Sequence, residues 1–83
     1  MAVVEVHLGG TLKSYAAGRE SFTLEAANVI QMLKALGELV PALKPVLDRG
    51  VAVAIDGEIY REAWFQPLKP ENEIYVLPKL AGG

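Results

Sequence analysis

The chain has 83 residues, 52% of them hydrophobic, a net charge of −2 and no cysteine. That is enough for one domain, too apolar for a disordered segment, and free of disulfides, thiolate metal ligands and a cysteine nucleophile. No basic run tracks a phosphate backbone, and no apolar stretch reaches the roughly 20 residues that span a bilayer, so neither nucleic acid nor membrane is expected as a partner. Folding at this size buries roughly 60% of the surface exposed by the unfolded chain, so the core is modest and must hold by packing. Met1 to Leu8 has neither a basic n-region nor a long apolar segment, and a cytoplasmic protein is expected.

Ala2 to Leu8 alternates, with Val4, Val6 and Leu8 on one side and Val3, Glu5 and His7 on the other. This is the pattern of a half-buried strand. Gly9, Gly10 and Thr11 break it, Leu12 to Arg19 is ambiguous, and Gly18 marks a turn. Ser21 to Glu25 alternates again and predicts a second strand, hairpin-paired with the first. Asn28 opens a helix as N-cap, with Gln31 completing a capping box. Val29, Met32, Leu33 and Leu36 form its apolar stripe, and Gly37 is the expected end.

Pro41 to Asp48 predicts a helical turn or two, broken at Pro45 and stopped by Gly50. Val51 to Ile55 is the most continuous apolar run and predicts an interior strand. Asp56-Gly57 is a two-residue hairpin signal, because both positions favour positive φ. Glu58 to Tyr60 returns as a short strand, and Glu62 to Asn72 forms a loop held by Leu68 and Pro70. Glu73 to Leu77 is the last strand, Ile74 and Val76 inward, Tyr75 and Leu77 outward. The sum is an α+β fold, a mixed sheet with one main helix packed on one face. That order and size is common to the ubiquitin-like β-grasp. Residues 1–83 read as a single domain with a flexible Gly-Gly tail over residues 78–83.

The residues that invite a chemical role mostly have a structural one. His7, on an outward strand position, reads as a solvated surface group. Asp56 is a turn residue. Glu71, Asn72 and Glu73 form a solvated turn, since no further ligands gather at metal-site spacing. Trp64 and Phe65 read as core or loop anchors rather than a binding hot spot. Gly9-Gly10 lacks the Lys-Ser/Thr and the following helix of a phosphate loop. Ser14 and Ser21 sit in no nucleophile elbow. The chain presents no convincing active site of its own.

Three stretches carry a resemblance: Val53-Ala-Ile-Asp-Gly-Glu58, Leu68-Lys-Pro-Glu-Asn-Glu-Ile74 and Tyr75-Val-Leu-Pro-Lys-Leu-Ala-Gly-Gly83. Over the last third of the chain they resemble the ubiquitin-like sulfur carriers: the small subunit of molybdopterin synthase, the thiamin-pathway carrier and a cysteine-forming relative. Members often carry two consecutive prolines before the final aliphatic residue. Here the second position is Lys79, which leaves the tail less stiff and more basic. Leu12 to Arg19, with Tyr15 and Gly18, is at least as similar to the cysteine-type relatives.

The resemblance implies a carrier, not an enzyme. The carboxylate of Gly83 would be adenylated by a separate ubiquitin-activating-type adenylyltransferase, and a sulfur donor would displace AMP to leave a thiocarboxylate. The carrier itself would bind no cofactor, ATP being used by the activating partner. The acceptor would be the large subunit of molybdopterin synthase, which converts a cyclic pyranopterin precursor into the dithiolene, or another sulfur-acceptor enzyme. Thiamin or cysteine synthesis, attachment to target lysines as a protein modifier, and a plain interaction module are the alternatives.

The tail suits such chemistry physically. Gly82 and Gly83 lack a Cβ and can enter a narrow tunnel. Pro78 fixes φ and aims the chain. Leu80 and Ala81, with Leu77, Lys79 and Tyr75, are the expected partner contacts. The outward residues Val3, Ala52, Ala54, Tyr75 and Leu77 make the open sheet face the expected docking surface.

Overall fold

Alternation becomes pleat in the computed structural model, which describes residues 2–60 and 64–78. Strand β1 (Ala2–Leu8) buries Val4, Val6 and Leu8 and pairs antiparallel with β2 (Ser21–Ala26), which buries Phe22, Leu24 and Ala26. Helix α1 (Val29–Leu39) follows. A 3-10 turn at Pro41–Leu43 leads into the short helix α2 (Lys44–Arg49), and β3 (Val51–Ile55), β4 (Glu58–Tyr60) and β5 (Glu73–Pro78) complete the sheet. The strand order is β2-β1-β5-β3-β4. β1 and β5 run parallel at the centre, and the other pairs are antiparallel.

The predicted capping box forms. Asn28 Oδ1 accepts from the Gln31 N–H at 3.0 Å, and Gln31 Oε1 accepts from the Ala27 N–H at 2.9 Å. Two further helix-start donors are taken by the loop after β4. The Val29 N–H donates to the Gln66 carbonyl and the Ile30 N–H to the Trp64 carbonyl. The stripe of Val29, Met32, Leu33 and Leu36 is buried in one core cluster with Ile74, Val76, Val4 and Val6 of the sheet. Leu36 is fully buried, and at such a site truncation to alanine costs about 2–5 kcal/mol.

Four expectations need correction. The helix does not end at Gly37 but runs to Leu39, with Val40 as its C-cap. Gly37 is kept for its missing side chain: a Cβ there would stand 3.2 Å from Lys44 Cγ and 3.4 Å from Leu47 Cδ1, so it lets α2 close on α1. The helix stops instead because Val40, preceding Pro41, is held out of the helical region at φ −127°. Pro45 does not break the next helix either. It sits in the first turn of α2, where its missing N–H is no loss.

Leu68 anchors its loop as expected, but Pro70 is exposed. The second anchor is Asn72, whose side chain accepts from the Lys69 N–H at 2.7 Å and donates to Asp56 at 2.7 Å. Pro78, read as the first tail residue, is the last residue of β5 and pairs opposite Val51. The ambiguous Leu12 to Arg19 stretch is largely a 3-10 turn over Gly10–Ala16, with Leu12 and Ala16 buried and Gly18 in the turn beyond it at φ 85°.

Candidate functional site

The side of the sheet away from α1 carries the candidate surface. Strand register aligns Ser21, His7, Tyr75, Ala54 and Ile59 in one row across all five strands. Leu77 and Ala52 form the next row toward the C-terminal end of β5. Glu5 and Glu73 pair on the opposite side of the row, so an apolar band is bordered by carboxylates at one edge and by the base of the tail at the other. Val3 is exposed on the same face but lies toward the start of β1, away from this row.

His7 is not the solvated group expected from its isolated position. Its ring stacks on Tyr75, centroids 4.8 Å apart and planes 25° from parallel, and its Nε2 lies 3.0 Å from Glu5 Oε1. The side chain is only 27% exposed. The cause is the central β1·β5 pairing, which sets the two rings opposite one another. Ile59, 55% exposed, belongs to this face and was not anticipated. Three residues of β4 are too few to show an alternation, and only the pairing with Ala54 reveals the side on which Ile59 stands.

Asp56 holds the start of β5. It sits at φ 51° in the turn with Gly57 at φ 86°, and its Oδ1 accepts from the Glu73 N–H at 2.8 Å. At the other end of that strand Leu77 and Pro78 are half-buried. The expected contacts Lys79, Leu80 and Ala81, and the reacting Gly82 and Gly83, lie outside the described residues. Of the site residues, the structure therefore places Tyr75, Leu77 and Pro78, and it brings all three to one strand beside the open face.

Trp64 and Phe65 are not core residues. Phe65 is 77% exposed, and Trp64 lines a groove of about 500 Å³ with Ile30, Leu33 and Leu47 on the helical side. Their loop is anchored through its main chain, by the Trp64 and Gln66 carbonyls at the start of α1. Among the described residues no polar or charged residue is buried, and no three His, Asp or Glu gather as a metal site. No helix among them is long and apolar enough to cross a membrane.

The model of the ThiS family matches residues 6–83. The solution structure of small archaeal modifier protein 1 from Methanosarcina acetivorans superposes with a TM-score of 0.83 at 32% identity, covering 100% of this chain and 98% of that one. The complex of subunits 1 and 2 of molybdopterin-converting factor from Helicobacter pylori gives a TM-score of 0.69 at 27% identity, over 98% of this chain and 99% of that one. The BexX/CysO complex of Amycolatopsis orientalis gives 0.75 at 20% identity, over 96% and 99%, a likeness of fold alone. A sequence search of curated proteins finds no match. With its mixed five-stranded sheet in the ubiquitin-like β-grasp arrangement, the chain belongs to the ThiS family, small sulfur carriers and ubiquitin-like modifiers that are not themselves enzymes.

Proposed function

We propose that this chain is a sulfur carrier whose Gly83 carboxylate is converted to a thiocarboxylate, and that the sulfur serves molybdopterin synthesis. The observation that carries the reading is the family match, which runs through the Leu-Ala-Gly-Gly ending at residue 83. The carboxylate attacks the α-phosphorus of ATP, pyrophosphate leaves, and an acyl-adenylate results. A sulfide-level nucleophile then adds at the carbonyl carbon, and AMP departs with the C–O bond electrons. The last two residues have no side chain to obstruct either attack. ATP and the adenylating groups belong to the activating partner.

In this reading Tyr75, Leu77 and Pro78 dock the carrier, and Lys79, Leu80 and Ala81 enter the partner's channel and contact its walls. The subunit pair from Helicobacter pylori supports an acceptor of the molybdopterin-synthase type, since a relative 27% identical was solved with such a partner. The test is intact mass after incubation with ATP, a sulfide donor and adenylyltransferases from the same organism. A gain equal to sulfur minus oxygen at Gly83 is expected. The unmodified mass, with a control carrier converted in parallel, refutes the reading.

A second reading has an observation of its own. The 32% identity to small archaeal modifier protein 1 favours attachment of the adenylated tail to target lysines. Its mark is a Leu-Ala-Gly-Gly remnant, left by trypsin cutting after Lys79, on lysines of digested cell protein. Delivery to thiamin or cysteine synthesis differs only in the acceptor, and reconstitution with each candidate acceptor distinguishes them.

A further inference from the structure

The glycines of this chain are of two kinds. A Cβ built on Gly18 (φ 85°) or Gly57 (φ 86°) meets nothing within 4 Å. These two serve turns, where positive φ excludes most side chains. Gly9 is the opposite case. Its φ of −104° and ψ of 164° are ordinary extended values that any residue adopts, yet a methyl group there would overlap Leu77 Cδ2. It would also stand 3.7 Å from Leu77 Cγ and from the Val76 carbonyl oxygen. Next to it, a Cβ on Gly10 (φ 58°) would stand 3.2 Å from both Cγ and Cδ of Pro78.

The bend that ends β1 thus forms a bare backbone shelf, and the last two residues of β5 rest on it. The shelf cannot retreat. The Gly9 N–H donates to the Val76 carbonyl at 2.9 Å and the Gly9 carbonyl accepts from the Leu12 N–H at 3.2 Å. Any group added to Gly9 must therefore displace the Leu77 side chain rather than the loop. The Leu77 side chain is half-buried at the base of the tail, so it turns to another rotamer and leaves its seat beside the open face.

We propose that Gly9 is a positioning residue for Leu77 at the base of the tail. The absence of its side chain seats Leu77 against the end of β1, and so fixes the side chain that a partner meets beside the open face. The inference rests on the reading of the tail as the reacting end. If the seated arrangement is the one a partner accepts, unseating Leu77 lowers the competent fraction of carrier. Apparent affinity falls by that fraction while the step within the complex is unchanged.

The test compares Gly9→Ala with Gly18→Ala as substrates of the adenylyltransferase in ATP–pyrophosphate exchange, alongside thermal melting and amide and methyl NMR spectra. Gly9→Ala is expected to raise the KM for the carrier about ten-fold with kcat within about two-fold. Gly18→Ala, strained but remote, is expected to lower Tm and leave KM unchanged. An unchanged KM in Gly9→Ala, or an equal rise in Gly18→Ala, overturns the inference.

If the wild-type carrier itself is not adenylated, the carrier reading fails and the spectra decide the inference separately. Gly9→Ala must shift the Leu77 methyl resonances, and Gly18→Ala must not. Should Gly9→Ala fail to fold, Gly9→Ala/Leu77→Ala must fold as Leu77→Ala does, because the overlapping methyl is gone. A double variant that still fails overturns the assignment.

Discussion

Replacing Asp56 with alanine tests how the strand that bears the docking residues is held. Asp56 accepts from Asn72 Nδ2 at 2.7 Å and from the Glu73 N–H at 2.8 Å. Each bond has a charged acceptor but lies at an exposed site, so about 1 kcal/mol apiece is reasonable. The residue also sits at φ 51°, a region aspartate tolerates better than alanine, which adds a fraction of a kcal/mol. The expected loss is about 2–3 kcal/mol. At about 4–8 °C per kcal/mol for a domain of this size, Tm falls by roughly 8–24 °C.

Urea unfolding followed by circular dichroism measures this directly, with an unchanged m-value showing that the native state keeps its extent. Asp56→Asn keeps the turn preference and one acceptor for the Glu73 N–H, so about half the loss is expected. Asp56→Ala and Asn72→Ala should be non-additive, since they share one bond. A loss below about 0.5 kcal/mol for Asp56→Ala, no more than a featureless surface change gives, would refute the claim that this turn clamps β5. An Asp56→Asn as damaging as the alanine would refute the division between the two bonds.

Gly83→Val should leave the melting temperature unchanged and abolish adenylation, read as loss of ATP–pyrophosphate exchange; a wild-type rate would remove the steric argument for the tail. Leu77→Glu should weaken the complex with an acceptor partner roughly 10–30-fold by titration calorimetry while the isolated chain stays folded. The Tyr60 hydroxyl donates to Glu58 Oε2 at 3.1 Å. That bond first, then the nearby Glu58 charge, raises its pKa above the ordinary 10.0. Its small stabilising contribution is therefore present below pH 10 and is lost as pH rises through the higher folded value. Absorbance titration should show a Tyr60 midpoint that moves down in Glu58→Gln, and an unmoved midpoint would sever the assignment.

Most of the sheet was legible because its signals are local. The alternation of β1 and β2, the Asn28–Gln31 box and the Asp56-Gly57 turn each lie within a few residues, and each formed as expected. The misreadings arose where a contact distant in sequence decides the role of a residue. Gly37 resembles a helix stop until α2 is seen to need the space above it. Pro45 resembles a breaker until the 3-10 turn before it makes it a first-turn residue.

The candidate surface divides in the same way. Tyr75 and Leu77 were readable as outward from period two. The stacking of His7 on Tyr75 depends on the parallel pairing of the first and last strands, which no pattern within either one encodes. Ile59 was missed because β4 is short, and the seat of Leu77 on Gly9 joins two ends of the chain.

That same central pairing has a mechanical consequence. β1 and β5 lie parallel between β2 and β3, with both of their edges hydrogen-bonded. Tension applied between Ala2 at the start of β1 and Pro78 at the end of β5 pulls the two strands in opposite directions along their length. The load falls on their shared ladder in shear, and its bonds must give way together rather than one after another. A molecule gripped by its tail while its first strand is held would resist extension far better than one pulled apart across β3 and β4, whose antiparallel hairpin opens from one end like a zip.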